Sequence, residues 1–362
     1  MVALDQISTK AMSSIVQPAL APTLADGAVD AYRSDARHVF SDSVVGALLS
    51  TRALRRLSGI GFLGAIDYVR HGSGRAGHRR RHNRLEHSIS VAWLADIYAR
   101  EADLPDDRRL LLLSAALLHD VGHGPLSHTL EPVFEAEFGI NHHIMTRHLV
   151  TGEVAFGDEI PEVLADAGVD LDEVLALIEG EHDGDVGFLF SNQINLDTLE
   201  GINRCRAFIA RRPAFGSCES VVRRWARGRA STIENDFDAF WRLKHHVYNL
   251  FIGGNRGAVL DAVAQAYMRS NLNEFSVNDF LNTEGLLRRR HPTLFSYLSQ
   301  VSRNEQNSDF ELPTDWLLQD VTVKKRDFYV KHESTLNDPK SINHRYRQTK
   351  TVMSKSLAEL LD

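Results

Sequence analysis

Apolar residues recur every three to four positions along most of this chain, the spacing of helices that bury one face. The segment 43–57 (SVVGALLSTRALRRL) predicts a first helix. The segment 84–101 (RLEHSISVAWLADIYARE) is amphipathic throughout and predicts a second. The segment 106–120 (DDRRLLLLSAALLHD) starts acidic, as helix N-termini favour, and becomes almost wholly apolar, which predicts a buried helix. Gly122, Gly124 and Pro125 then stop it and start another. Further helices are expected at 125–138, 141–151, 171–180, 195–211, 233–251 and 255–270, with a tight join at Gly253, Gly254 and Gly257. Residues 321–330 (VTVKKRDFYV) alternate as a strand does, and the chain closes on a short amphipathic helix, SKSLAELLD.

These elements define an all-α core from 35 to 300. A poorly ordered or accessory segment, 1–34, precedes it, and a C-terminal extension, 301–362, of minor α/β or irregular character follows. At 43% hydrophobic and 25% charged residues, the chain has enough apolar content for a sizeable core. No apolar run approaches the ~20 residues of a membrane span, so no membrane association is expected. Met1 to Gly27 lacks a basic start followed by an apolar block, so a cytoplasmic protein is expected. Cys205 and Cys218 are too few for a disulfide framework or a thiolate zinc site and are expected free and reduced.

The net charge of −7 gives no global signal for nucleic acid, but one stretch stands apart. Arg70, Arg75, Arg79, Arg80, Arg81 and Arg84 cluster with His71, His78 and His82. Such a cluster is either a solvated segment or a local attractor for phosphate, including single-stranded nucleic acid. Histidines are concentrated too: ten of the seventeen fall between His71 and His148.

The His119-Asp120 dipeptide ends the apolar helix, which would deliver both side chains into a low-dielectric place. Burying an ionised Asp without a partner is costly, and a bound cation is one remedy. A helix cap beside a core histidine is the alternative. A second dipeptide, His182-Asp183, lies in an acidic, Gly-rich stretch and reads as a surface loop. His87 follows Arg84 by three residues, His123 follows His119 by four, and Glu131 follows His128 by three, the spacing of one helical face. Asp197 starts another predicted helix. Imidazole and carboxylate donors together suit one divalent metal ion such as manganese, iron, magnesium, nickel or zinc.

In order along the chain, HNRLEHS (82–88), LLHDVGHGPLSH (117–128) and INLDTLEGINR (194–204) resemble the HD superfamily. The likeness is greatest to the dNTP triphosphohydrolase branch, which includes the vertebrate SAM-and-HD-domain enzyme and bacterial dGTPases. It runs from about Val39 to Met268. The resemblance implies an all-α HD-domain helical bundle, a metal-dependent phosphohydrolase of nucleotides and a homo-oligomer. It implies His87, His119, Asp120 and Asp197 as metal ligands. It implies Arg84 as a phosphate contact, His128 as the histidine beside the scissile phosphate and Glu131 as the acid that positions it. His142, or its neighbour His143, and His123 would join the catalytic set. Tyr248 would line the nucleotide site or be ordinary core. Arg242, Lys244, His245 and His246 would be a solvated helix face or add phosphate contacts.

The chain departs from the family pattern where the sugar is read. Phe62 stands where the family has a glutamine, and Gly201 and Cys205 where it has tyrosine and aspartate, while Glu200 keeps an acid. A site that loses hydroxyl-reading groups loosens or changes its discrimination. Three readings follow: a dNTP triphosphohydrolase or a relative acting on another nucleotide, a phosphodiesterase or nuclease acting on single strands through Arg70–Arg84, and a nucleotide-sensing module without turnover.

Overall fold

Thr51 divides the first predicted helix. Its hydroxyl donates to the Leu48 carbonyl at 2.7 Å and accepts the Leu54 amide, so 43–57 forms α1 (Ser43–Ser50), α2 (Arg52–Arg56) and a 3-10 turn, Leu57–Gly59. The computed structural model describes residues 43–69, 82–154, 156, 158–209, 214–228, 230–303, 311–332, 334, 336, 338, 340 and 344–361. The segment 1–34 and the basic residues Arg70 to Arg81 lie outside the described residues.

The two strongest periodicities give the two helices that carry the site. Asn83 accepts the Glu86 amide at 2.9 Å and opens α3 (Arg84–Glu101), whose bounds match the expectation. In α4 (Asp106–Leu118), Asp106 and Asp107 occupy the first turn, and every residue from Leu111 to Leu118 is buried. The helix ends two residues sooner than expected, so His119 and Asp120 emerge from its end. α3 and α4 pack along each other.

The stretch 125–138 is not one helix. Leu126 and Ser127 adopt left-handed backbone (φ 60° and 46°), a 3-10 turn covers Ser127–Thr129, and α5 begins only at Glu131 (Glu131–Phe138). Two adjacent non-glycine residues in this region are strained, and they re-aim the chain at His128. Asn141 caps α6 (His142–Thr151). There follow α7 (Glu159–Asp166), α8 (Leu171–Ile178), α9 (Phe188–Ser191), α10 (Leu196–Cys205) and α11 (Cys218–Ala226). α12 (Ala230–Val247) runs on into a π-turn, Tyr248–Ile252, and α13 (Asn255–Ser270) comes next. α14 (Glu284–Arg290), α15 (Pro292–Arg303) and α16 (Thr314–Leu317) complete the helical run. α7, α9, α11 and α14 to α16 have no counterpart among the expected helices.

The predicted strand is present as β1 (Asp320–Val330), but it has an unexpected partner. β2 (Tyr346–Ser356) pairs with it antiparallel, from Asp320 opposite Ser356 to Val330 opposite Tyr346. The last helix, α17 (Leu357–Leu361), therefore starts later than SKSLAELLD suggests, because Ser354 to Ser356 belong to the ladder. The architecture is all-α with this one small sheet, as expected. Among the described residues, no helix is long and apolar enough to cross a membrane.

The hairpin is fixed to α12. Trp241 packs edge-on against Phe328, and Tyr346 lies 5.4 Å from the same indole. Buried Arg345 holds Asp238 through two hydrogen bonds of 2.9 and 2.7 Å, and the Tyr346 hydroxyl donates to the same carboxylate at 3.0 Å. Removing the acid strips both of these bonds from the buried guanidinium and leaves Glu234, 3.2 Å from its Nη2, as its one ion-pair partner among the described residues. Asp238→Ala is expected to lower unfolding stability by about 3–5 kcal/mol, measured by urea titration; a change below 1 kcal/mol would place this pair with weak surface ion pairs.

Candidate active site

Four side chains from three elements converge at one end of α4. The His87 Nε2 lies 3.3 Å from the His119 Nε2 and 3.0 Å from the Asp197 Oδ1. Asp120 closes the group, with Oδ1 3.6 Å from the His119 Nε2 and Oδ2 3.6 Å from the His87 Nε2. Local sequence aims each residue. The α3 cap places His87 on the first helical turn. The α10 cap, Asn195 with Thr198 in reciprocal bonds, places Asp197 likewise. Gly122 lets the turn after Asp120 press against α6, where a Cβ would run into the His142 carbonyl and the Thr146 amide.

The donor set fits a cation. The His119 Nδ1 donates to the Ala116 carbonyl at 2.8 Å, and the His87 Nδ1 donates to Glu200, itself held by Arg204. Both Nδ1 protons are thereby committed, and the two Nε2 atoms face each other across 3.3 Å. Burial opposes a charge on His87, yet Glu200, Asp197 and Asp120 outweigh it and push its pKa up to about 9. The surroundings therefore ask for positive charge, which a divalent ion supplies. Burial also opposes ionisation of Asp120, but His119, Arg84 and His123 hold it well below the usual carboxylate range.

Arg84 does more than wait for phosphate. Its Nη1 donates to the Asp120 Oδ2 at 2.6 Å and its Nε to the Ser127 hydroxyl at 3.0 Å, while Ser127 donates to the Gly61 carbonyl. Its guanidinium also lies over Phe62. Ser127 was not singled out by sequence, although it sits inside the LSH motif. Phe62 leans on His87, with ring centroids 4.7 Å apart, and a Cβ at Gly201 would come within 3.3 Å of its ring. Gly201 thus makes room for Phe62 beside His87.

The second group comprises His123, His128, Glu131 and His142, whose ligating atoms lie within 4.8 Å of one another. Glu131 does not chiefly hold His128, as its spacing suggests. It accepts from the His142 Nδ1 at 2.5 Å and the His142 amide at 3.2 Å, whereas the His128 Nδ1 is 3.7 Å away. His128 lies in the 3-10 turn Ser127–Thr129 and Glu131 opens the next helix, so the two do not share one α-helix. His143 lies against the His142 ring at 3.9 Å and also lines the cavity, but it is His142 that makes the bonds to Glu131. His123 is fully buried, stacks on His142 at 4.2 Å and sets its Nε2 3.3 Å from the Asp120 Oδ1. His128 is 61% exposed, but into the cavity.

That cavity measures about 930 Å³, within the range that admits a nucleotide. Its wall includes Arg84, Asp120, His128, Asp197, Lys244 and Tyr248. Lys244 departs from the solvated-face reading, being 7% exposed, whereas Arg242 is exposed. His245 faces the hairpin and accepts the Phe328 amide at 3.3 Å. Cys205 and Cys218 are free and buried, and His182-Asp183 lies on an exposed loop.

One wall residue makes a pH prediction. Asp261 is partly buried, accepts the Thr129 hydroxyl at 2.6 Å, and has its pKa pushed up to about 6 by its removal from water. A folded pKa above the unfolded value favours the native state at low pH. This contribution is complete below about pH 4 and is lost as pH rises through about 6. Asp261→Asn is expected to raise Tm at pH 8 relative to the wild type and to change it little at pH 4; equal shifts at both would contradict the burial.

Residues 84–207, which carry all four converging side chains, match the family model described as HD domain. It is 31% identical over 168 residues to the uncharacterized protein YwfO of Bacillus subtilis, covering 45% of this chain and 36% of that one. It is 30% identical over 177 residues to the deoxynucleoside triphosphate triphosphohydrolase SAMHD1 of Gallus gallus, covering 42% and 27%, and 36% identical over 104 residues to SAMHD1 of Xenopus laevis, covering 27% and 15%. The chain thus spans about a third or less of the length of these curated relatives. Among solved structures, a hypothetical protein from Aquifex aeolicus shares the fold with a TM-score of 0.58 at 14% identity, over 89% of this chain and 96% of that one.

Proposed function

We propose that this chain is a metal-dependent phosphohydrolase of nucleotides, closest in chemistry to the dNTP triphosphohydrolases, with His87, His119, Asp120 and Asp197 as metal ligands. The observation that carries the reading is the facing pair of Nε2 atoms at 3.3 Å, closed by two carboxylates beside a cavity that also holds Arg84 and His128. The similarity to two deoxynucleoside triphosphate triphosphohydrolases supports the substrate class.

A divalent ion bound there supplies Lewis-acid chemistry, lowering the pKa of a water and polarising a phosphoryl oxygen. The chain's own residues do the rest. Glu200 and the Ala116 carbonyl fix the tautomers of His87 and His119. Arg84 steadies Asp120 and presents its outer edge to the cavity, where a phosphate would meet it. His128 stands at the cavity wall as the proton-handling group. Attack at the α-phosphorus of a dNTP would release nucleoside and triphosphate.

The test is product analysis. The protein is incubated with dNTPs, NTPs, nucleoside monophosphates and short single-stranded DNA in Mn²⁺ or Mg²⁺. Triphosphate release supports the proposal. Oligonucleotide cleavage without it would make the chain a nuclease, and tight binding without turnover would make it a sensor. Of the Arg70–Arg84 cluster, the described Arg84 is engaged with Asp120 and Ser127.

A further inference from the structure

Arg56 is a buried cation that no acid answers. It is the last residue of α2, is 7% exposed, and forms no ion pair among the described residues. A charge taken out of water without a counter-ion is costly. Burial pulls its pKa down to about 9, still above neutrality, so the guanidinium stays charged. What it meets is backbone. Its Nη2 donates to the Val121 carbonyl at 2.7 Å and its Nη1 to the Phe280 carbonyl at 3.4 Å, while its Nε has no partner.

Val121 directly follows Asp120, and the peptide that joins it to Gly122 is held at both ends. The carbonyl takes Arg56, and the Gly122 amide donates to the Thr146 hydroxyl of α6 at 3.0 Å. A peptide group is planar, so fixing both ends fixes the plane. Glycine imposes little preference of its own on that plane, and its orientation rests on these partners. The plane stands between two side chains of the site. Asp120 precedes it and His123 follows it, with the His123 Nε2 3.3 Å from the Asp120 Oδ1.

The second carbonyl ties this turn to a distant part of the chain. Phe280 belongs to the 3-10 turn Val277–Leu281. A Cβ on Gly124 would come within 3.1 Å of both the Phe280 carbonyl and its ring, so the turn after Asp120 lies directly against it. Phe280 in turn meets Phe134 of α5 edge-on, with ring centroids 5.1 Å apart. Arg56 and Phe280 both lie outside 84–207, the residues that match the HD domain. The flanking segments thus reach in to hold the turn that carries Asp120. A guanidinium suits the task because its donors form a rigid planar fork, which meets two carbonyls of separate segments and fixes their spacing.

We propose that Arg56 is a positioning residue of the ligand cluster: by clamping the Val121 carbonyl against that of Phe280, it sets the turn from Asp120 to His123 and so the place of Asp120 among the metal-binding side chains. It touches neither ion nor substrate. The proposal rests on the assignment of Asp120 as a ligand, and its test separates the two.

Arg56→Met, Arg56→Lys and Asp238→Ala are compared with the wild type as full chains, each below its melting temperature. Asp238→Ala is the control, destabilised far from the turn. Calorimetric titration gives the Mn²⁺ affinity, and electron paramagnetic resonance gives the spectrum of the bound ion. Arg56→Met is expected to weaken Mn²⁺ binding by about 10- to 100-fold, the effect of losing an outer support of a ligand, and to broaden the spectrum. Asp238→Ala should change neither. Arg56→Lys keeps the charge but lacks the fork, so its affinity should fall between those of the wild type and Arg56→Met. It also decides the matter where Arg56→Met does not fold. Wild-type affinity in either Arg56 variant, or an equal loss in Asp238→Ala, would overturn the clamp. Hydrogen exchange of the metal-free chains reads the turn without an ion. In the Arg56 variants the Gly122 and His123 amides should exchange about tenfold faster relative to those within α4. Faster exchange in a chain whose wild type binds no Mn²⁺ would refute the ligand assignment alone, and unchanged exchange in a chain whose wild type binds Mn²⁺ would refute the clamp alone.

Discussion

His119→Ala is expected to abolish metal binding and turnover together while leaving the helical fold in place. The imidazole follows the last turn of α4, 8% exposed, and its Nδ1 bond to the Ala116 carbonyl aims its Nε2 at His87 and Asp120. Truncation removes one donor outright and leaves Asp120 and Asp197 facing each other with less positive charge between them. Three donors around a hard or borderline ion bind it far more weakly than four, and ligand loss is not compensated by repacking, because the cavity adjoins the gap. Metal content by elemental analysis and turnover on the nucleotide panel are the two measurements. A third supports them: an ion that binds only the native state raises Tm by mass action, so a chelator should lower the melting temperature of the wild type and not of the variant. A variant that keeps full metal occupancy and full turnover would end the ligand assignment.

How far the sequence reveals this site depends on the distance over which each contact acts. The bounds of α3 and the buried character of α4 are legible because their causes are local: Asn83 as cap, acids in the first turn, an unbroken apolar run. The ligand set is not local. His87 and Asp197 are 110 residues apart, and nothing in NLDTLE announces a metal; only the order of three motifs does so. The spacing pairs Glu131 with His128, 3.7 Å away, but not with its shorter partner His142, which comes from the next helix and has no sequence signal. Lys244 sits in a run, KHH, that has the composition of a solvated surface, and distant parts of the chain, the Gln193 carbonyl and Phe328 of the docked hairpin, cover it. β2 escaped notice because YRQTKTVMSK is polar toward both sides, and it stays largely exposed in the fold. Its pairing is dictated by β1 and by the Arg345–Asp238 anchor, not by its own pattern.

His128→Ala is expected to separate chemistry from metal binding, retaining the ion and the melting temperature while cutting turnover by about 10²–10⁴-fold. The side chain projects into the cavity, edge-on to His123 at 4.7 Å and to His142 at 5.1 Å, and contributes no packing that the core requires. Burial among these cavity groups, with Arg84 and His142 nearby, lowers its pKa despite Glu131. A lowered pKa keeps the imidazole neutral at neutral pH, so it is equipped to accept a proton. The sign of the pH profile then follows. A base must be neutral to act, so turnover should fall as pH drops through a value below the ordinary 6.5 for histidine, and that acid limb should be missing in His128→Ala. A histidine acting as a proton donor would give the opposite limb, with turnover falling as pH rises. Undiminished turnover in a metal-replete His128→Ala chain would move the proton transfer elsewhere, and the hydrogen-bonded Glu131–His142 pair, joined at 2.5 Å on the same cavity wall, is where a second substitution would then be made.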